Sequence, residues 1–195
     1  MPCDKSVLLE FLEAINDDLT RKITLVAAGG TAMTLLDLKP STIDIDFTIP
    51  AVDRVEFERV LKNNPPGYRV YRWTDGYIYC QKLPKDYLEK SIKIKEFSHI
   101  VLRALHPVDI VVTKIGRLNQ RDIQDIEACI RECKVSEAEI KARALLVLQT
   151  FVGPEEDYLS HLDWVLERFF KNNQMNSYPR FLAITKYSTK KVAAT

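Results

Sequence analysis

The sequence AAGGTA at residues 27–32, followed by STIDIDFTI at residues 41–49, decides the fold of this chain of 195 residues. The first stretch closes an apolar run and predicts a buried strand, a glycine turn and the start of a helix. In the second stretch, apolar residues alternate with Asp44, Asp46 and Thr48. Alternation predicts a strand, and side chains two positions apart on a strand lie on the same face. We therefore expect the carboxylates of Asp44 and Asp46 to project together.

The paired carboxylates and the glycine turn together predict a site for a metal ion and a nucleotide. Two acids on one face repel each other unless a cation lies between them, and their hard oxygen atoms suit Mg2+. Gly29 and Gly30 allow backbone N–H groups to approach a phosphate, and Thr31 opens a helix whose positive end favours an anion. Each half alone has an ordinary structural explanation, as a tight turn or as the wet face of an edge strand. Their combination favours the site.

The rest of the chain predicts an α+β fold, in which a mixed β-sheet is flanked by helices and followed by a helical C-terminal region. Apolar spacing, caps and breakers predict helices at residues 5–19, 31–38, 52–63, 107–118, 121 onward, 136–147 and 158–171. Asp4 and Ser136 are the expected N-caps of the first and sixth helices. Strands are predicted at residues 23–28, 43–49 and 98–105, with a hairpin within 68–83 around Asp75 and Gly76. We divide the chain into an α/β core at residues 1–133 and a helical region at residues 134–195.

Composition and charge place few limits on function. The formal net charge is +1, so any attraction for phosphates must come from local patches. The first twenty residues carry five acids in a helical pattern, which argues against a signal peptide, and no apolar run approaches the roughly 20 residues that cross a bilayer. Four scattered cysteines, without two pairs at metal-ligand spacing, fit a reducing compartment. We expect a cytoplasmic protein with no membrane partner.

The order of these motifs resembles the DNA polymerase beta-like nucleotidyltransferase superfamily. In that superfamily a strand, a Gly-Gly or Gly-Ser turn and a helix precede a strand with two metal-binding acids, as at residues 29–31 and 44–46 here. The later sequence PVDIVVTK at residues 107–114, continued through residues 117–126, is similar to the helical segment of small prokaryotic nucleotidyltransferases related to abortive-infection toxins. The resemblance implies a nucleotidyltransferase-like mixed sheet.

The resemblance also implies a reaction. A nucleoside monophosphate would move from a nucleoside triphosphate (NTP) to a hydroxyl of RNA, protein or a small molecule, with release of pyrophosphate. Asp44 and Asp46 would hold one or two Mg2+ ions, and Lys114 would be a catalytic cation. In-line phosphoryl transfer needs charge neutralisation more than covalent help, which agrees with these residue types. A role in a toxin-antitoxin pair would add a cognate antitoxin or other partner protein.

The resemblance implies a set of nucleotide-binding residues as well. They are Gly29, Gly30, Thr31 through a hydroxyl contact to a terminal phosphate, Arg121, Asp122 and Asp125. Without the resemblance, Lys114 has an alternative explanation as a lysine that extends along an apolar helix face to solvent. Arg121 is equally explained as a partner of Asp125 one helical turn further on.

One part of the superfamily pattern is missing. Members usually place a third acid on a later neighbouring strand, whereas the matching residues 76–80 contain no acid. Asp75, in a turn, and Asp109, near a helix start, are the spare acids, and each has a structural reason of its own. The pattern therefore leaves open a nucleotide-binding or regulatory module without turnover. A glycosyltransferase with paired aspartates leaves the glycine turn unexplained, and a metal-dependent nuclease is a similarly weak alternative.

Overall fold

The computed structural model describes residues 2–171, in which helices surround a five-stranded sheet. The helices are α1 (Lys5–Asn16), α2 (Gly29–Leu35), α3 (Ala51–Asn63), α4 (Tyr87–Lys90), α5 (Pro107–Ile115), α6 (Gln120–Glu132), α7 (Glu137–Leu148) and α8 (Glu155–Leu166), and α8 continues as a π-helical turn, Glu167–Lys171. Asp4 and Ser136 cap α1 and α7 as predicted, because each side chain accepts a hydrogen bond from a backbone N–H of the first turn.

The strands confirm the predicted mixed sheet. They are β1 (Cys3–Asp4), β2 (Ile23–Ala27), β3 (Ser41–Thr42), β4 (Ile45–Ile49), β5 (Val70–Thr74), β6 (Tyr77–Ile78), β7 (Gln81–Lys82), β8 (Ile92–Glu96) and β9 (Ile100–Ala104). The main sheet has the order β5-β4-β2-β9-β8. Its β4–β5 and β2–β9 pairs are parallel, and its β2–β4 and β8–β9 pairs are antiparallel. The α+β fold is thereby confirmed.

One strand prediction is corrected, and one strand was missed. Asp75 and Gly76 do form a turn, with positive φ angles of 49° and 81°, but the strands on either side of it pair with other strands. β5 is the parallel neighbour of β4, and β6 pairs with β7. Residues 92–96, in which lysines alternate with isoleucines, form the edge strand β8 and were not predicted as a strand. An edge strand with one wet face accommodates that alternation.

The centre of the fold is formed by β2, β4 and α5. Every residue of β4 and of α5 is buried. The helix α5 is enclosed because α2, α6, α7 and α8 pack around it. Two contacts fix the C-terminal helices on α5: Arg143 of α7 pairs with the buried Asp109 at 2.5 Å, and the Tyr158 hydroxyl of α8 donates to the carbonyl of Val112 at 3.1 Å.

The predicted division between residues 133 and 134 stays a prediction, and residues 172–195 of the second region lie outside the described part of the chain. Among residues 2–171, no helix combines the length and the apolar character needed to cross a membrane.

Candidate functional site

The glycine turn joins β2 to α2 beside the beginning of β4. Gly29 has a φ of +52°, and a Cβ atom there would lie 3.1 Å from Asp46 Oδ2. A Cβ atom on Gly30 would lie 2.7 Å from Thr42 Oγ1. Larger residues would be strained at the first position and would displace Thr42 at the second. The two glycines therefore let the backbone come close to the Asp46 carboxylate.

Thr31 fixes α2 against β4. Its side chain is fully buried, and its hydroxyl donates to the carbonyl of Asp44 at 3.2 Å and accepts from the N–H of Asp46 at 2.9 Å. A buried backbone N–H needs such a partner. This geometry corrects the expected contact between the Thr31 hydroxyl and a terminal phosphate, because the hydroxyl is enclosed and already bonded. Thr31 instead positions the two acids.

Asp44 and Asp46 differ in their surroundings. Asp46 lies within β4 and is 5% exposed, whereas Asp44 precedes the strand and is partly exposed. Burial raises the pKa of Asp46 to about 6; the Trp73 indole, Arg117 and Lys114 oppose this rise, and the charge of Asp44 adds to it. The buried Asp46 Oδ1 makes no hydrogen bond to any residue in 2–171. Asp46 Oδ1 is therefore available to a ligand, with the Trp73 indole as a neighbour of the carboxylate.

Three cations are held by two buried aspartates, and two of these cations, Lys114 and Arg117, act electrostatically on Asp46. Lys114 donates to Asp122 at 3.2 Å and to Asp125 at 2.7 Å. Arg117 donates two hydrogen bonds to Asp122, at 2.8 and 2.7 Å, and Lys39 lies 3.1 Å from Asp125. We call these five residues the ion-pair cluster. Burial would raise the pKa of Asp122, but Arg117 and Lys114 outweigh it, so the pKa lies below its usual value and the carboxylate stays charged.

Arg121 does not join the ion-pair cluster. It lies in the first turn of α6 with an exposed side chain, and its backbone N–H donates to Asn119. Asp125 pairs with Lys114 and Lys39 instead of with Arg121. The structure thus brings together Asp44, Asp46, Lys114 and the two glycines with Asp122 and Asp125 behind them, and Arg117 takes the place expected for Arg121.

The two spare acids have structural roles elsewhere. Asp75 accepts a hydrogen bond from the N–H of Ala51 at 2.9 Å, which satisfies the first turn of α3. Asp109 is fully buried and is held by Arg143 at 2.5 and 3.1 Å. Within residues 2–171, no three Asp, Glu, His or Cys side chains are grouped to hold a metal ion. A metal on Asp44 and Asp46 would therefore take its other ligands from phosphate or water.

Aromatic rings cover another side of Asp46. Trp73 lies on β5, and its ring centroid is 5.2 Å from that of Tyr79. The guanidinium of Arg117 lies 4.9 Å from the Tyr79 ring centroid. Burial raises the pKa of the Tyr79 hydroxyl, and the negative charge of Asp46 adds to the rise. These rings are therefore part of the wall of the site.

Four residues of this arrangement were not predicted from the sequence: Lys39, Trp73, Tyr79 and Arg117. The strand pattern could have indicated an aromatic surface at Trp73, since Tyr71, two residues earlier, lies on the same face of β5. Arg117 stands within the block that resembles toxin-related nucleotidyltransferases. Lys39 has no local signal, because its partner is 86 residues away in the chain.

The site has the parts that nucleotide chemistry requires: two acids for a cation, a close-packed glycine turn and the nearby positive charges of Lys114 and Arg117. A solved structure with a similar fold is the crystal structure of ANT(2'')-Ia in complex with adenylyl-2''-tobramycin. The likeness has a TM-score of 0.50 and 12% sequence identity, and it covers 71% of this chain and 94% of that chain. At this identity the likeness concerns the fold. No curated protein matches the sequence significantly.

The sequence itself matches a family over most of its length. Residues 6–161 fit the family described as "Nucleotidyltransferase of unknown function (DUF6036)". This match and the fold place the chain within the nucleotidyltransferases, as the order of its motifs predicted. The chain belongs to the DUF6036 family of nucleotidyltransferases.

Proposed function

We propose that this protein is a Mg2+-dependent enzyme that transfers a nucleoside monophosphate from an NTP to a hydroxyl acceptor. The hydroxyl oxygen forms a bond to the α-phosphorus, the bond to pyrophosphate breaks, and the hydroxyl proton is released. The observation that carries the proposal is the state of Asp46. Its carboxylate is buried against Gly29, its Oδ1 accepts no hydrogen bond from residues 2–171, and burial raises its pKa to about 6. A buried carboxylate in this state is stabilised by a bound cation.

The residues present suit Mg2+. Carboxylate oxygens from Asp44 and Asp46 are hard ligands, and Mg2+ commonly takes one or two protein carboxylates together with phosphate oxygens and water. When bound, Mg2+ supplies charge neutralisation at the reacting phosphate. Lys114 and Arg117, which already act electrostatically on Asp46, provide fixed positive charge for the triphosphate. Gly29 and Gly30 leave the backbone accessible to phosphate oxygens.

The test is incubation with Mg2+ and each NTP labelled at the α-phosphate, with and without total RNA. We expect label on an acceptor and release of pyrophosphate. Asp46→Asn should slow transfer roughly a thousandfold, which is on the order of 4 kcal/mol of transition-state stabilisation. Asp163→Asn, which replaces an exposed acid on α8, is the matched control and should keep full activity. Full activity in Asp46→Asn would refute the proposal.

A nucleotide-binding module without turnover is the second candidate. One observation favours it. Asp75 and Asp109 are both held in structural contacts, with Ala51 and Arg143, and neither serves as a third acid beside Asp44 and Asp46. NTP binding in the presence of Mg2+, without pyrophosphate release for RNA, protein and small-molecule acceptors, would support this second candidate against the first.

Residues 107–126 resemble the corresponding segment of toxin-related enzymes. On this basis we also propose that the protein inhibits growth and that a cognate antitoxin relieves the inhibition. Induced expression of the wild-type chain in bacteria should then slow growth, and expression of Asp46→Asn should not. Equal growth of the two cultures at equal protein levels would contradict the toxin role while leaving the transfer reaction to its own assay.

A further inference from the structure

A row of three aromatic rings with a guanidinium group at each end runs across the site beside Asp46. It consists of Arg69, Tyr71, Trp73, Tyr79 and Arg117, and we call it the aromatic-arginine row. Arg69 lies 5.9 Å from the Tyr71 ring centroid, and Tyr71 is stacked with Trp73 at 6.2 Å and an interplanar angle of 11°. Trp73 then contacts Tyr79 at 5.2 Å, and Arg117 lies 4.9 Å from Tyr79. The row extends further than one nucleobase would cover.

The row is open to solvent along much of its length. Tyr79 is 47% exposed, Arg69 is exposed, and Tyr71 and Trp73 are half-buried. The half-buried rings have their planes fixed by their neighbours, so little conformational entropy remains to be lost on binding. Rings held in this way provide a stacking surface for planar groups.

The register of the sheet places the row next to the acid pair. Asp46 is the partner of Tyr71 and Thr48 is the partner of Trp73 in the parallel β4–β5 ladder. Paired strands lie about 4.8 Å apart, and aligned residues project from the same face. The glycine turn follows β2, which is the neighbour of β4 on its other side. The acids therefore lie between the glycine turn and the aromatic-arginine row.

This placement assigns the row to the acceptor, an assignment that rests on the proposed function. The glycine turn, as phosphate contact, holds the pyrophosphate that leaves. In-line displacement requires the attacking hydroxyl on the opposite side of the α-phosphorus from the leaving group. The β5 side of the acids is that opposite side, and the row occupies it.

The chemistry of the row selects an acceptor with flat rings and negative charge. Stacking on Tyr71, Trp73 and Tyr79 favours nucleobases, and the exposed guanidinium of Arg69, at the end of the row away from the ion-pair cluster, favours phosphates. A polycationic acceptor would be repelled by Arg69. Unpaired bases that can stack on side chains are characteristic of RNA loops and ends. We propose that the aromatic-arginine row binds a single-stranded segment of an RNA acceptor.

Direct binding tests the proposal without reliance on catalysis. The probes are fluorescein-labelled oligouridylate and oligoadenylate of about eight nucleotides, a length within the usual range of stacking sites. We expect the wild-type protein to bind both, with affinity that falls as salt is raised. Trp73→Ala and Tyr71→Ala should each weaken binding roughly fivefold to a hundredfold, as loss of one stacked base predicts. Trp73→Phe keeps a ring and should lose less.

Matched controls come from the same segment of the chain. Tyr77→Ala removes an exposed tyrosine outside the row, and Arg72→Ala removes an exposed arginine from the opposite face of β5. Both should bind RNA like the wild type. Arg69→Ala should reduce the slope of log affinity against log salt by about 0.7, the value for one phosphate contact to a single strand. Equal effects of Arg69→Ala and Arg72→Ala would overturn the proposal.

Tryptophan fluorescence gives a second readout. Trp73 and Trp164 are the two tryptophans of the chain, so Trp164→Phe leaves Trp73 as the reporter. Stacking of a base should quench it, and unchanged emission at saturating RNA would count against the row as the binding surface.

The binding and transfer assays fail in different ways. NTP binding in Mg2+ is measured for every variant. If the wild-type protein binds NTP normally but binds no RNA, the RNA proposal is overturned and the proposed transfer reaction is not. Transfer of label to a protein acceptor, unaffected by Trp73→Ala, overturns the RNA proposal as well. RNA binding that depends on the row, together with no pyrophosphate release, would refute the proposed reaction while supporting the RNA surface.

Discussion

Replacing Asp46 by Asn is expected to stabilise the metal-free protein at neutral pH, although the change removes a proposed metal ligand. The pKa of Asp46 is raised from 3.8 to about 6, chiefly because the carboxylate is buried. The shift corresponds to about 3 kcal/mol of preference for the neutral form in the folded state. Asn has a similar shape and no charge, so it avoids the cost of an ionised buried group.

The direction of the pH dependence follows from proton linkage. The folded protein binds more protons than the unfolded chain between the two pKa values. The contribution of Asp46 to the free energy of unfolding is therefore fully present below about pH 4 and is lost as the pH rises through about 6. The stability of Asp46→Asn relative to wild type should accordingly increase by about 1.4 kcal/mol between about pH 5 and about pH 7.5.

Urea denaturation followed by circular dichroism, in EDTA and at several pH values, measures this change. The difference between the two proteins at one pH also contains packing effects, so its variation with pH is the decisive quantity. Asp44→Asn removes a like charge that raises the pKa of Asp46, and it should shrink the variation. A difference between Asp46→Asn and wild type that stays constant from about pH 5 to about pH 7.5 would refute the reasoning.

Three further changes have definite expected outcomes. Gly29→Ala forces an alanine into the left-handed backbone region and places its Cβ atom 3.1 Å from Asp46 Oδ2, so it should weaken Mg2+ and NTP binding measured by calorimetry. Gly67→Ala has open space around the new Cβ atom and should bind both like the wild type. Equal affinities of the two variants would contradict this expectation. Thr31→Val leaves the Asp46 N–H buried without a partner and should cost about 1–3 kcal/mol of stability in urea, while Thr31→Ser should stay near wild type. Arg143→Met leaves Asp109 buried without its cation and should cost about 3–5 kcal/mol, and a loss under 1 kcal/mol would show that Asp109 does not depend on the pair.

Local patterns predicted the parts of the site that are close together in the chain. The alternation around Asp46 and the paired glycines each follow from the period and conformational demands of a short segment. The boundary was less well predicted: Asp44 precedes β4, and α2 starts at Gly29, before Thr31. Such shifts of one or two residues are typical of element ends, which depend on hydrogen bonds beyond the segment.

Contacts between distant segments were not available from local patterns. Asp75 and Gly76 marked a turn correctly, but no local rule states that β5 joins β4 in parallel across α3, which is what carries Tyr71 to Asp46. In the same way, Asp125 reads as the helical neighbour of Arg121, whereas packing of α6 brings it to Lys114 and Lys39. The choice among several chemically suitable cations is made by tertiary packing.

The balance of charge in the site predicts that Mg2+ reverses the effect of Asp46 on nucleotide binding. The ion-pair cluster holds three cations against two aspartates, and the acid pair adds two further negative charges. Without metal, the ionised acid pair repels a triphosphate and offsets the nearby cations, and a bound divalent ion neutralises the acid pair. At about pH 8, above the pKa of Asp46, Asp46→Asn should bind an NTP more tightly than wild type in EDTA and less tightly in Mg2+. Titration with a fluorescent NTP measures both affinities. A loss of affinity of the same size in both buffers would mean that Asp46 acts on the nucleotide directly and not through the metal.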